Sequence, residues 1–102
     1  MNNDLPAHQF RKTMVSEYEN FERLLNDDQE PIFIIFQPTR EIRMRVAQIG
    51  STDAGLVNIF GEDMDRNPID LLMHFTHIAY MLEACASDAP QRIGFAIDAG
   101  VK

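Results

Sequence analysis

Three groups of side chains have the types and spacings from which chemistry can be built. In "GEDMDRNPID", Asp63, Asp65 and Asn67 stand at every second residue, as the first three oxygen ligands of a calcium-binding loop do. Such a loop also needs Gly at its sixth position for a sharp turn and a bidentate Glu at its twelfth. Counted from Asp63, those positions hold Pro68 and His74. Pro cannot take the positive φ, and imidazole is a poor ligand for a hard cation. The stretch therefore reads as a helix start, with Asn67 as N-cap, Pro68 at the first helical position and Asp70 beside the positive end of the helix dipole.

Asp70, His74 and His77 fall on roughly one side of that expected helix, a donor set suited to zinc or iron. Ligands confined to one short helix leave an ion undersupplied, and "HExxH" is absent, so no metal and no cofactor is expected. In "REIRMR", Arg43 and Arg45 share one strand face with Arg40 nearby, an arrangement able to grip a carboxylate or phosphate. A water-facing amphipathic strand is the more ordinary account of the same pattern. The single cysteine, Cys85, allows no internal disulfide and lies near a helix C-terminus, where the dipole disfavours a thiolate. Phosphate-binding glycine motifs and a Gly-framed serine are absent. Nothing here predicts an enzyme.

The elements that must position these groups follow from periodicity. The 102 residues fit one domain, 1-102, of ordinary globular composition, 45% hydrophobic and 25% charged. After Asp4 as N-cap and Pro6 in the first turn, a helix is expected from about Leu5 to Leu25. Its buried face would hold Phe10, Met14, Tyr18, Phe21, Leu24 and Leu25. "IFIIF", Ile32 to Phe36, is apolar on both faces and reads as a central covered strand. "EIRMRVAQI" alternates, with Ile42, Met44 and Val46 inward. "QPTR" suits a hairpin, "GSTDAG" a second turn with Gly55 at positive φ, and "LVNIF" a third strand.

A second helix is expected from Pro68 to about Ser87, and "RIGFAI" as a last strand. The fold class is then α+β, a two-layer sandwich in the order α-β-β-β-α-β. A mainly antiparallel four-stranded sheet of order 3-2-1-4 would carry both helices on one face. Leu71, Phe75, Ile78, Leu82 and Cys85 would sit on the sheet. Met73, His77, Tyr80 and Ala84 would lie on the other side of the helix, either covered by the N-terminal helix or exposed as a homodimer or partner interface.

Charge narrows the partners. Sixteen acidic against nine basic residues give a net charge of −7 and a pI near 4.7, which repels phosphate backbones and disfavours direct nucleic-acid binding. The same field favours a protein partner with a basic surface. Two acidic clusters are candidates for meeting it: Glu62, Asp63 and Asp65, and Asp27, Asp28 and Glu30. No apolar run approaches the ~18 residues of a membrane span and no signal segment is evident; a soluble, cytoplasmic protein is expected.

In element order, helix, three strands and helix, the chain resembles the double-stranded RNA-binding domain. That family's second helix opens with a lysine-rich motif, whereas here the stretch is "EDMDRNPID", which argues against RNA binding. It also resembles the small, acidic, dimeric chaperones of type III secretion, which continue beyond the single final strand read here. In size and charge it is similar to phage-encoded inhibitors of bacterial defence, anti-CRISPR proteins among them. The leading expectation is a non-enzymatic binding module, an inhibitor or adaptor, whose partner handles nucleic acid. The alternatives are a dimer binding a small anionic ligand through Arg43 and Arg45, a secretion-chaperone-like adaptor and, behind these, a metal-dependent enzyme.

Overall fold

The computed structural model describes residues 5–87 and the backbone of Gly100 and Val101. The fold is α+β, with one N-terminal helix against an antiparallel sheet. Helix α1 spans Pro6–Glu22, and the strands are β1 Gln29–Phe36, β2 Glu41–Ser51, β3 Leu56–Asp63, β4 Pro68–His74 and β5 Ala79–Ala86. A 3-10 turn, Phe75–His77, joins β4 to β5, and β6, Gly100–Val101, lies parallel to the end of β2. The sheet order is β4-β3-β2-β1-β5.

The meander β1–β3 follows the sequence pattern. Gln37 N–H donates to the Arg40 carbonyl across the first hairpin, and Gly55 takes φ +97° in the second. The 3-2-1 order of these strands is as expected. The strand beside β1, however, is Ala79–Ala86 and antiparallel, while "RIGFAI" and the expected cap Asp4 lie outside the described residues.

The expected second helix is a correction. Its residues form β4, the 3-10 turn and β5. Ile69, Leu71 and Met73 on β4, with Tyr80 and Leu82 on β5, pack on one core together with Phe75 and Ile78. The segment is so rich in apolar residues that its period of 2 also reads as 3.6. Its Leu, Met, Ala and Glu are helix formers by intrinsic preference, overridden here by pairing with β3 and β1. Asn67 caps no helix; it closes the β3–β4 hairpin by accepting at its carbonyl from Asp63 N–H, at 2.8 Å. The helix-three strands-helix order is therefore not present.

Helix α1 buries Ala7, His8, Arg11, Met14, Val15 and Tyr18, positions three and four apart that make one stripe. The stripe is rotated from the expected one: Leu24 lies beyond the helix and is 79% exposed. Tyr18 stacks on Phe33 at 5.7 Å, and Phe10 meets Phe75 and Tyr80 edge-on or tilted, at 6.1 and 6.2 Å. Among the described residues no helix is long and apolar enough to cross a membrane.

Two constraints bend the sheet around α1. On a flat sheet the four strand spacings from β4 to β5 would measure about 19 Å. Five Cα steps from His74 to Ala79 span at most about 18 Å even when fully extended, and three of the linking residues form a 3-10 turn. The edges must curl toward the helix side. The second constraint is a bulge in β2 between Val46 and Gln48. Ile42, Met44 and Val46 are buried before it, Ile49 and Ser51 after it, so the extra residue changes which parity faces inward. Opposite the bulge stands Gly61, where an added Cβ would lie 1.9 Å from the Arg45 carbonyl oxygen.

Gly61→Ala should therefore cost about 1–3 kcal/mol, the usual range for overpacking. Urea denaturation measures it, and an unchanged midpoint would contradict the close approach.

Candidate interaction surface

Arg45, one residue before the last inward residue of the first half of β2, joins the two acidic clusters. Its Nε donates to Glu30 Oε2 on β1 at 2.9 Å, and its Nη1 lies 3.8 Å from Glu62 Oε2 on β3. The guanidinium is 12% exposed, flanked by carboxylates on both neighbouring strands. Glu30 above all holds it charged, raising its pKa against the opposing cost of burial. Glu62 is held a second time by Arg66, at 3.6 Å. Glu30 and Glu62 come from clusters far apart in sequence, and one cation brings them onto the same surface.

The members of each cluster differ in what they are free to do. Asp63 organises the β3–β4 turn: its Oδ1 accepts from the backbone N–H of Asp65 at 2.8 Å and of Asn67 at 2.9 Å, and its Oδ2 from Asn67 Nδ2 at 3.3 Å. The backbone N–H of Asn67 leads the causes that lower the Asp63 pKa. This Asx-type closure lets Arg66 take φ 71°. Asp65 is exposed at the tip, and Asp27 and Asp28 are exposed in the loop before β1. That loop is fixed by Gln29 N–H on the Asn26 carbonyl and by Ser87 N–H on the Asp28 carbonyl, at 3.0 and 2.9 Å. Beside these carboxylates in the chain are two exposed apolar side chains, Leu24 and Met64.

The other expected sites are arranged differently. Arg43 is clamped by Glu83 at 2.5 Å and Glu41 at 3.0 Å, so both strand arginines already bind carboxylates. The helical face grouping Met73, His77, Tyr80 and Ala84 does not exist. Met73 and Tyr80 turn to the core, His77 is exposed in the 3-10 turn, and Ala84 sits opposite Pro31 on β5. Tyr80 O–H donates to Glu17 on α1, and burial, then that carboxylate, pushes its pKa up. Asp70 accepts from Asn58 on β3, while His74 Nδ1 hydrogen-bonds Thr76 at 2.8 Å. Asp70, His74 and His77 no longer share a helix face, and among the described residues no three His, Cys, Asp or Glu are grouped to hold a metal. Cys85 lies on β5, 3.9 Å from Glu30 Oε2.

Sequence reasoning missed one cluster. His8 bridges Ser51 Oγ through Nδ1 at 2.5 Å and Asp53 Oδ1 through Nε2 at 2.8 Å, and Arg11 Nε donates to the same hydroxyl at 2.9 Å. The residue types are those of a nucleophile, base and orienting acid. Ser51 is only 1% exposed, and the Asp53 side chain is 74% exposed. A hydroxyl so enclosed offers a substrate no approach. The cluster satisfies buried polar groups and ties α1 to the end of β2. The signal was there to read: His8 and Arg11 fall three apart, in the same helical stripe as Met14 and Tyr18.

No protein-family model, curated protein or solved structure matches this chain. The functional reading therefore rests on the geometry.

Two outcomes check that geometry. Ser51→Ala should destabilise by about 1–3 kcal/mol, because His8 and Arg11 lose a buried partner; an unchanged melting curve would deny the brace. Asp63→Ala should be less stable than the parent at neutral pH. A carboxyl whose folded pKa is lowered contributes stability above its unfolded pKa of about 3.9, lost as pH falls through the folded value. The difference between the two proteins should therefore close in acid, and one that persists below the folded pKa would contradict the role of the carboxylate.

Proposed function

We propose that this chain is a small acidic protein-binding module without catalytic activity, an inhibitor or adaptor that occupies a basic surface on its partner. The observation that supports it most is the convergence of Glu30 and Glu62 on Arg45, which brings one carboxylate of each acidic cluster into a single region. Three further carboxylates are exposed at the two ends of this region, Asp27 and Asp28 in the loop before β1 and Asp65 in the β3–β4 turn. With a net charge of −7, such a region steers encounter with a cationic partner and repels nucleic acid itself. A nucleic-acid-handling protein, whose groove is basic because it binds phosphates, is the partner class that fits. An anti-defence inhibitor is one such role. The small-anion reading loses support, since Arg43 and Arg45 each have two carboxylate neighbours.

The test separates binding carboxylates from structural ones. Glu62 and Asp63 hold Arg45 and the turn, so reversing them would disturb the fold. Asp27→Lys, Asp28→Lys and Asp65→Lys together should leave the melting temperature within about 2 °C of the parent while weakening capture of the partner from host cells at least tenfold. Binding by the parent should also fall as salt rises past physiological strength. Capture that withstands both the triple reversal and high salt would reject the acidic surface.

A further inference from the structure

The proposed reading leaves open how a partner engages the surface, and strand β4 supplies a means. Its outer edge pairs with no described strand, and its register with β3 runs from Leu56↔His74 to Glu62↔Pro68 without a bulge. Beyond Pro68 the strand reads Ile-Asp-Leu-Leu-Met-His. It lacks the lysines, internal proline and bulges by which edges are normally blocked against further pairing. Every residue after Pro68 carries an N–H, so the edge presents a run of backbone donors and acceptors.

The two faces of this edge differ in chemistry. Ile69, Leu71 and Met73 line the helix side, half-buried against the core. On the outer face stand Asp70 and Leu72, the latter 62% exposed, next to Phe60 at 41% on β3. The acidic turn that contains Asp65 feeds directly into the start of the strand. A second copy of the chain would bring another charge of −7 to this edge. An extended basic segment would instead be attracted to it.

We infer that β4 is a docking edge to which the partner adds an extended segment alternating apolar and basic residues. This choice of a basic occupant rests on the proposed function. The apolar side chains of the segment continue the row Ile69, Leu71 and Met73. Its Lys or Arg residues point to the outer face, where Asp70 takes the charge and Leu72 packs along their aliphatic stems. Main-chain hydrogen bonds supply the pairing, and the alternation supplies the specificity.

The experiment titrates the isotopically labelled full chain with a blocked nine-residue peptide of alternating Lys and Val, following backbone amide resonances. Saturable shifts and slowed amide exchange in residues 69–73 are expected. Leu72→Lys should weaken binding about tenfold, and N-methylating alternate peptide amides should abolish it. Shifts that bypass β4, or an N-methylated peptide that binds equally well, would overturn the docking edge. If binding then disappears in the Asp27→Lys, Asp28→Lys, Asp65→Lys protein, the acidic surface stands without the edge. If β4 responds fully in that triple variant, the edge stands and the acidic-surface reading fails. A two-chain mass by light scattering that Leu72→Lys reduces to one would overturn the proposal by assigning the edge to a second copy.

Discussion

The bulge in the middle of β2 is the constraint on which the remaining architecture depends. A strand has a strict side-chain period of 2, so one inserted residue exchanges its faces. Before the bulge the inward residues are Ile42, Met44 and Val46, and after it Ile49 and Ser51. Without the exchange Ile49 would face outward, and Ser51 would point away from His8 and Arg11. The α1 brace and the core thus both depend on that single irregularity. It exists because Gly61 on the opposing strand carries no side chain to obstruct the Arg45 carbonyl.

The same place governs the charge on the outer face. Arg45 lies just before the bulge with its guanidinium largely buried, and a buried cation must be paired. Glu30 and Glu62 do this from the strands on either side. Arg66 also reaches Glu62, so these pairs balance in charge and the unpaired negative charge comes from the exposed loop aspartates. Carboxylates of one type thus differ in their surroundings. Glu30, Glu62 and Asp63 hold the protein together, whereas Asp27, Asp28 and Asp65 present charge to solvent.

Much of the first half of the fold was legible in the sequence. Proline at the first helical position, the alternation of β2 and the glycine of the second turn each have a local cause, and each is found in place. The second half was not legible, for two physical reasons. Residues 68–86 combine helix-forming side chains with apolar positions dense enough to satisfy either period. Asn67-Pro68 also has the same appearance as a helix cap or as the end of a hairpin turn. What decides between them is the Asp63 carboxylate accepting from Asp65 and Asn67, together with strand partners remote in sequence. For the candidate surface, the acidic clusters were visible as clusters, but the meeting of Glu30 and Glu62 at Arg45 was not, because Arg45 read as a solvent-facing strand residue. The His8–Ser51–Asp53 brace is legible only in part: the helical spacing of His8 and Arg11 puts them on the buried stripe, but Ser51 and Asp53 join them through contacts remote in sequence.

On the proposed reading, the exposed loop carboxylates Asp27, Asp28 and Asp65 and the edge strand β4 are the elements this protein offers a partner. The most direct measurement is a hydrogen-exchange footprint of the intact complex, isolated through the tagged full chain from its own host. Slowed exchange in residues 24–30 and 62–74 is expected on complex formation, with α1 little changed. Protection concentrated on α1 and residues 75–84, with the acidic loops exchanging as in the free protein, would contradict it.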